Sequence, residues 1–111
     1  MPRSLTGTLR KGSPVFAALG DETRLALVAR LCSAGPQSIA RLTAGSDVTR
    51  QAITKHLNVL EGAGLVRSVK HGRERIWEFE VGRLAEARRC IDEISNRWDE
   101  ALDRLKGFVE E

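Results

Sequence analysis

Apolar and polar positions recur with a helical period through most of the chain, and residues 49–64 carry this pattern most clearly. When these residues are placed at about 100° per residue, Ile53, Leu57 and Leu60 fall on one narrow stripe. The opposite arc is polar and consists of Arg50, Gln51, Thr54, Lys55 and Asn58. The pattern predicts a helix that packs on a core through its stripe and directs the polar arc outward.

Two helices are predicted near the start of the chain. Ser13 as a cap and Pro14 in the first turn predict a short helix over residues 15–19 that ends at Gly20. Asp21 is predicted to cap a second helix, which stops at the Gly-Pro pair 35–36. The inward face predicted for this second helix is formed by Leu25, Val28, Ala29 and either Leu31 or Cys32.

A helix-turn-helix is predicted in the middle of the chain. After a brief extended piece at residues 37–38, a third helix covers residues 39–44, and the turn cluster Gly45-Ser46-Asp47 follows it. Thr49 is predicted to cap the fourth helix, which carries the polar arc. Two helices joined by a short glycine-containing turn are typical of DNA-binding proteins in which the second helix enters the major groove.

A β-hairpin is predicted after Gly64, where the helical period ends. The runs LVRSVK and RIWEFEV are rich in strand-forming residues, and residues 71–74 between them form the predicted tip. Basic side chains cluster there, namely Lys70, His71, Arg73 and Arg75. Directly after a helix-turn-helix, such a hairpin is typical of a wing that contacts the minor groove or phosphates. A hairpin charged to prevent edge-to-edge aggregation is the alternative.

The apolar pattern of residues 83–109 predicts one long final helix with a heptad repeat. Its apolar positions are Leu84, Ala87, Ile91, Ile94, Trp98, Ala101, Leu105 and Phe108. At 1.5 Å per residue this helix would span about 40 Å, which exceeds what a small globular part can cover. The seam is therefore predicted to meet a second copy of the chain, with packing inside one chain as the alternative. The predicted dimer interface consists of Val15, Phe16, Leu19, Leu84, Ala87, Ile91, Ile94, Trp98, Ala101, Leu102, Leu105 and Phe108.

Charge is unevenly distributed over the 111 residues. The net charge is only +3, but residues 1–75 are rich in Lys and Arg, whereas residues 76–111 carry an excess of Asp and Glu. The first region suits a polyanionic partner. Three segments are predicted: a flexible basic arm over residues 1–13, a winged helix-turn-helix DNA-binding domain over residues 14–82, and a dimerisation helix over residues 83–111. The predicted fold class is mainly α with a small β-hairpin.

The candidate chemistry argues against an enzyme. The sequence has no nucleophile paired with a base, no plausible carboxylate pair, no glycine-rich phosphate loop and no metal cluster, so no cofactor is expected. Cys32 and Cys90 do not form a disulfide framework, which favours a reducing cytoplasm. A redox switch that joins them is the alternative to two buried thiols. Trp77 and Trp98 are interpreted as packing residues, with an effector pocket as the alternative. No signal peptide or membrane span is expected.

Three ordered motifs resemble the ArsR/SmtB family of winged-helix repressors. FAALGDETRLALVARL is similar to the opening helices of that family, TRQAITKHLNVLEGAGLV to its recognition helix and exit, and HGRERIWEF to its wing. The resemblance implies a bacterial, dimeric repressor that binds an inverted-repeat operator in double-stranded DNA. It implies DNA contacts from Thr49, Arg50, Gln51, Thr54, Lys55, His56 and Asn58. Among these, His56 is interpreted as a structural residue or a phosphate contact.

The sequence departs from the metal-sensing members of that family. The stretch SIARLTAG lacks their cysteine pair, and the final helix contains no histidine. Soft and borderline metals need thiolate or imidazole ligands, usually four, so a member that does not sense metal is predicted. A small-molecule effector of unidentified chemistry stays open as a partner. The alternatives in function are a redox-responsive repressor that uses Cys32 and Cys90, and a winged helix that binds proteins.

Overall fold

The computed structural model of the protein describes the backbone of residues 3–110 and the side chains of residues 6–110. The order of elements is α1 (Arg3–Leu19), α2 (Glu22–Ala34), β1 (Gln37–Ser38), α3 (Ile39–Thr43), α4 (Arg50–Gly62), β2 (Val66–His71), β3 (Glu74–Phe79) and α5 (Val81–Glu110). This order confirms the predicted fold class, a mainly helical winged helix-turn-helix that ends in a long helix.

The first helix is much longer than predicted. The prediction of a flexible arm is wrong for residues 3–13, because α1 runs without a break from Arg3 to Leu19 and contains Pro14. Met1 and Pro2 lie outside the described residues. A proline inside a helix removes one hydrogen bond and costs about 3 kcal/mol. Packing offsets this cost, because α1 lies along α5 and buries Val15 and Ala18.

A close approach between α1 and α5 depends on a glycine. A Cβ atom at residue 12 would overlap the sulfur of Cys90, so only glycine fits at this position without a shift. The thiol of Cys90 is buried here and donates a hydrogen bond to the carbonyl oxygen of Thr8 at 3.0 Å. The sequence pattern did not predict the contact between Gly12 and Cys90, because these two residues are 78 positions apart.

The core lies where α2 and α4 meet the small sheet. On α2 the buried side chains are Leu27, Val28 and Leu31, and Asp21 caps the helix as predicted. The inward face predicted for α2 is wrong at Leu25 and Ala29, which are exposed, and of the two alternatives Leu31 and Cys32 it is Leu31 that is buried. Since α2 packs on both α4 and β3, its contact face is rotated toward Leu27.

The hairpin belongs to a three-stranded antiparallel sheet of order β1-β3-β2. β1 places Gln37 opposite Trp77 and Ser38 opposite Ile76, so the short extended piece before α3 becomes an edge strand. Trp77 is 3% exposed and lies in the core, which confirms its interpretation as a packing residue. The sheet thereby ties the base of the wing to the helix-turn-helix.

The long helix α5 extends beyond its segment that packs against α1. Ala87 and Cys90 are buried, but the apolar side chains further along α5 are exposed, among them Ile94, Trp98 and Phe108. The chain measures 68 × 29 × 20 Å. Val15 and Ala87 were predicted at the dimer interface, but they are 1% and 3% exposed within the single chain. Both side chains belong to the buried core cluster of the single chain, and their part in a dimer interface stays a prediction.

Candidate nucleic-acid interface

The helix α4 is fixed at its start by a hydrogen-bonded cap. Thr49 Oγ1 accepts a hydrogen bond from the backbone N–H of Ala52 at 3.1 Å, which satisfies one of the free donors of the first turn. Ile53, Leu57 and Leu60 are at most 2% exposed, which confirms the predicted stripe. The rotation of α4 about its axis is thus set by its buried side, and the polar arc must lie outside.

The outward arc brings four predicted DNA-binding residues together. Arg50, Gln51, Thr54 and Lys55 line one shallow, open depression on α4. Asn58 is exposed about one turn further along the helix. The hydroxyl of Thr54 donates to the carbonyl oxygen of Arg50 at 2.9 Å, so Thr54 can offer a partner only its oxygen lone pair and its methyl group. Thr49 is exposed, but its side-chain oxygen already serves the cap.

Three side chains of this arc keep all their polar groups available. Among the described residues, no protein group forms a hydrogen bond or an ion pair with the side chain of Arg50, Gln51 or Lys55. All three are exposed. Arginine can bind guanine through two hydrogen bonds and glutamine can bind adenine in the same way, whereas lysine supplies charge. The arrangement can read base edges at the N-terminal end of α4.

His56 lies beside this arc and contacts the start of α2 through one ring nitrogen. It is half-buried, and its Nδ1 lies 3.4 Å from Nη1 of Arg24 and 3.8 Å from Oδ2 of Asp21. The pKa of Asp21 is lowered, chiefly because the backbone N–H of Arg24 donates to its carboxylate and further by the positive charge of the Arg24 guanidinium. The sequence prediction missed the role of Arg24, because the cap spacing places it in the first turn of α2 but does not show that it contacts α4.

The register of the wing places its cations in a definite pattern. Lys70 pairs directly with Arg75. Two residues further from the hairpin tip, Ser68 pairs with Trp77. Because side chains alternate along a strand, Lys70 and Arg75 share the face of the hairpin that buries Trp77. Two like charges directly opposite each other repel, and an anion between them would relieve that repulsion.

A chain of hydrogen bonds joins this face of the wing to α4. Arg75 Nη1 donates to Ser68 Oγ at 2.8 Å, and both the N–H and the hydroxyl of Ser68 donate to Glu61 Oε2 at 3.3 Å. Arg75 therefore has an internal partner, whereas Lys70 has none among the described residues. These hydrogen bonds connect the basic face of the wing to the end of α4.

The tip and the opposite face of the wing differ from the basic face. Gly72 has φ of 67°, the positive value that the first central residue of a type II′ hairpin turn needs, and Arg73 beside it is exposed. His71 pairs with Glu74 across the turn. On the opposite face Arg67 forms ion pairs with Glu78 and Glu80, and the hydrogen bond that Arg67 donates to the Glu78 carboxylate is the main reason that the pKa of Arg67 is raised. Arg67 is therefore neutralised locally.

A second surface of the chain is apolar. A groove of about 320 Å³ lies between the end of α1 and the start of α5, and it contains Phe16, Leu19, Val81, Leu84, Ala85, Ala87, Arg88 and Ile91. Further along α5 the exposed apolar residues are Ile94, Trp98, Leu102, Leu105, Phe108 and Val109, whereas Ala101 is half-buried. The groove and this stripe contain all the predicted interface residues except Val15, which is buried.

The candidate metal and redox residues are far less organised. In the part of the chain that the structure describes, no group of three or more His, Cys, Asp and Glu residues is arranged to hold a metal ion. Both cysteines are free thiols, with Cys90 buried against α1 and Cys32 exposed on α2. None of the described helices is long and apolar enough to cross a membrane.

The chain matches proteins that regulate transcription. Residues 19–69 match a family described as a helix-turn-helix domain. An HTH-type transcriptional regulator of Mycobacterium tuberculosis is 35% identical over 95 residues, which cover 86% of this chain and 85% of the relative. The arsenical resistance operon repressor of Bacillus subtilis is 32% identical over 95 residues, which cover 82% of this chain and 90% of the relative.

A solved structure extends this similarity to the fold. An ArsR-like transcriptional regulator from Rhodococcus sp. RHA1 is 40% identical and superposes with a TM-score of 0.77. The match covers 92% of this chain and 95% of that chain, so it includes both the helix-turn-helix and the long helices on either side of it.

Proposed function

The chain belongs to the ArsR family of winged-helix DNA-binding transcriptional regulators, and from this premise we propose that it is a dimeric, sequence-specific repressor. In this proposal α4 lies in the major groove and the wing contacts the adjacent backbone. Two copies of α4, held about 34 Å apart by the paired long helices, bind an inverted-repeat operator. Repression is supported by the likeness to the arsenical resistance operon repressor of Bacillus subtilis.

The observation that carries this proposal is the exposed arc of α4. Arg50, Gln51 and Lys55 surround one open depression, and their polar groups have no partner among the described residues. Because these exposed side chains have no internal partner, their polar groups are free to bind base edges in the major groove. Each good pair of hydrogen bonds to a base discriminates by about 1–3 kcal/mol.

Dimerisation through α1 and α5 is supported by the exposed apolar surface. Ile94, Trp98 and Phe108 are 57%, 63% and 79% exposed, and they continue the heptad positions of α5 beyond the part that packs on α1. A contiguous apolar stripe of this kind on a single soluble chain marks an interaction site. A second copy of the same helix offers a complementary stripe.

We also propose that metal does not control this regulator. His56 is engaged with Arg24, His71 lies at the wing tip, Cys90 is buried and Cys32 lies exposed on α2. These four side chains do not converge within one chain. Addition of arsenite or zinc to the DNA complex should therefore leave binding unchanged, and release of DNA at micromolar metal would contradict this part of the proposal.

The test is fluorescence-anisotropy titration of the DNA upstream of the gene against scrambled DNA, over a series of salt concentrations. We expect a preference of at least about 10³ for the upstream fragment and a steep loss of affinity with salt. Equal, weak binding to both DNAs would sink the proposal and favour a protein-binding module. A reporter gene placed behind the same fragment tests repression, because deletion of the regulator should raise its expression.

The variant Arg50→Ala tests the docking of α4. It should lose about 1–3 kcal/mol on the operator and relax the preference at one base pair. Lys106→Ala is the matched control, because it also removes one positive charge but lies exposed on α5. If both variants lost affinity equally, the loss would reflect net charge rather than base recognition.

A further inference from the structure

The side chain of Arg24 lies where α1, α2 and α4 meet. Contacts between α4 and DNA bases do not themselves require this side chain. Its Nε donates to the carbonyl oxygen of Ala18 at 2.6 Å, and its Nη2 donates to that of Ala17 at 3.5 Å. Both carbonyl groups belong to the last turn of α1, where the helix itself supplies no donor. The guanidinium therefore caps α1, and α1 fixes the plane of the group.

The backbone of Arg24 is fixed as firmly as its side chain. Its N–H donates to Oδ2 of Asp21 at 3.0 Å, the capping bond of α2. The same Oδ2 lies 3.8 Å from Nδ1 of His56, which is too far for a hydrogen bond. Asp21 thus holds Arg24 in place and balances its charge beside the histidine.

The remaining arm of the guanidinium reaches the recognition helix. Nη1 of Arg24 lies 3.4 Å from Nδ1 of His56. A guanidinium has donors only and stays protonated, so Nδ1 must act as the acceptor. In a neutral imidazole with an accepting Nδ1, the proton resides on Nε2. The contact therefore selects one tautomer of His56.

The other ring nitrogen of His56 is open to solvent. In the described part of the chain, Nε2 has no protein partner, and no buried side-chain nitrogen or oxygen atom lacks a partner. Nε2 must therefore be accessible, in agreement with the 25% exposure of the His56 side chain. This places a single N–H donor at the surface, on the residue that follows Lys55 in α4.

We infer that Arg24 is a positioning residue for DNA binding, which locks neutral His56 with its Nε2–H directed outward to donate to a phosphate oxygen. This inference rests on the proposed function, because the operator supplies the phosphate. The donor is uncharged, so the contact adds affinity without releasing a counterion. That property separates it from the lysine and arginine contacts of the same surface.

The first experiment measures the tautomer in the free protein. Long-range proton–nitrogen NMR of the histidine rings at about pH 8 should show the Nε2–H form of His56 in the wild type and a mixture of tautomers in Arg24→Lys. Arg30→Lys is the matched control, because Arg30 donates to the carbonyl oxygens of Arg41 and Leu42 and has no contact with His56. An Nδ1–H form in the wild type, or an unchanged ring in Arg24→Lys, would overturn the inference.

The second experiment measures binding to the upstream DNA across the salt series. His56→Ala and Arg24→Lys should each weaken binding about tenfold, and the double variant should be no weaker than either one. The slope of affinity against salt should stay unchanged in both, whereas Lys55→Ala should reduce it by roughly 0.9. Wild-type binding by either variant, or a reduced slope in His56→Ala, would contradict the phosphate contact.

The two experiments separate the inference from the proposed function. If the wild type binds no DNA, the proposed function and the phosphate contact fail together, while the NMR result still decides whether Arg24 sets the tautomer. Backbone amide spectra of each variant show whether it is folded, so a loss of affinity in a folded protein is attributable to the ring of His56.

Discussion

Gly12 is the residue on which the contact between α1 and α5 depends most directly. Its missing side chain leaves room for the thiol of Cys90, which in turn donates to the carbonyl oxygen of Thr8. Two helices can approach this closely only where one of them lacks a Cβ atom. A single hydrogen atom in place of a methyl group therefore sets the separation of two helices that together form the proposed dimer surface.

We expect Gly12→Ala to destabilise the protein by about 1–3 kcal/mol, because the added methyl group overpacks the site of Cys90. Gly7→Ala is the matched control, since Gly7 lies in the same helix with no atom near its Cβ position, and it should stabilise by about 0.5–1 kcal/mol. Thermal or urea unfolding followed by circular dichroism measures both. The double variant Gly12→Ala, Cys90→Ala should recover most of the loss, and equal destabilisation by the two glycine variants would contradict the overlap.

Asp21 should make the stability of the protein depend on acid pH. Its pKa is lower in the folded chain than the ordinary value of 3.8, because the N–H of Arg24 donates to the carboxylate. A depressed carboxyl pKa contributes stability above the unfolded value, and this contribution is lost as the pH falls through the folded value. Asp21→Asn keeps the helix cap but cannot titrate. Its melting temperature should fall less steeply below about pH 4 than that of the wild type, and parallel curves would exclude Asp21 as a source of acid sensitivity.

At the scale of elements, the wing has two faces with opposite electrostatic character. Lys70 and Arg75 share the face that is joined to α4 through Ser68 and Glu61, whereas Arg67 on the other face is paired with Glu78 and Glu80. Counting basic residues in the hairpin would treat all of them alike. The register of the strands separates cations that are available to a partner from one that is already neutralised.

Lys70→Ala should weaken DNA binding similarly on all sequences and reduce the salt slope by roughly 0.9, the amount expected for one lost phosphate contact. Arg67→Ala removes the same charge from the neutralised side and should change the slope much less. Anisotropy titrations on specific and scrambled DNA provide both values. A larger effect from Arg67→Ala than from Lys70→Ala would mean that the wing docks through its other face.

The helices and strands were predictable from sequence where their features depend only on residues within the same element. The stripe of Ile53, Leu57 and Leu60, the cap at Thr49 and the hairpin tip at Gly72 are local features, and the structure has each of them. The fate of residues 3–13 was not predictable in this way, because α1 is stabilised by its contact with α5, and Pro14 and two glycines argued locally against a helix.

In the candidate site, too, local features were predictable from sequence and contacts between distant residues were not. The outward arc of α4 follows from helical spacing alone, and Arg50, Gln51 and Lys55 lie where that spacing places them. The contact between Arg24 and His56 joins positions 32 residues apart, so no local pattern contains it. The face of α2 was predicted wrongly at Leu25 and Ala29 for a related reason, since two different neighbours determine which side is buried.

At the scale of the whole molecule, the exposed stripe of α5 predicts that the single chain is not the working unit. Trp98→Glu places a charge in the middle of that stripe and should raise the dimer dissociation constant by at least about 100-fold. Asn96→Glu adds the same charge at an exposed position outside the heptad seam and should have little effect. Sedimentation velocity at several concentrations measures both variants. A wild-type protein that stays monomeric at high concentration would remove the dimer from the proposal.

The 68 Å length of the chain also bears on how it arrives at DNA. The outer positions of α5 are rich in Asp and Glu, and this helix extends away from the part that carries the basic wing and α4. In the field of a polyanion such a molecule experiences a torque, because one end is attracted while the other is repelled. Collisions therefore start with the basic face forward, and fewer of them end in unproductive orientations. Under the proposed function, acidic residues of α5 thus contribute to the rate at which the operator is found, although they do not contact it.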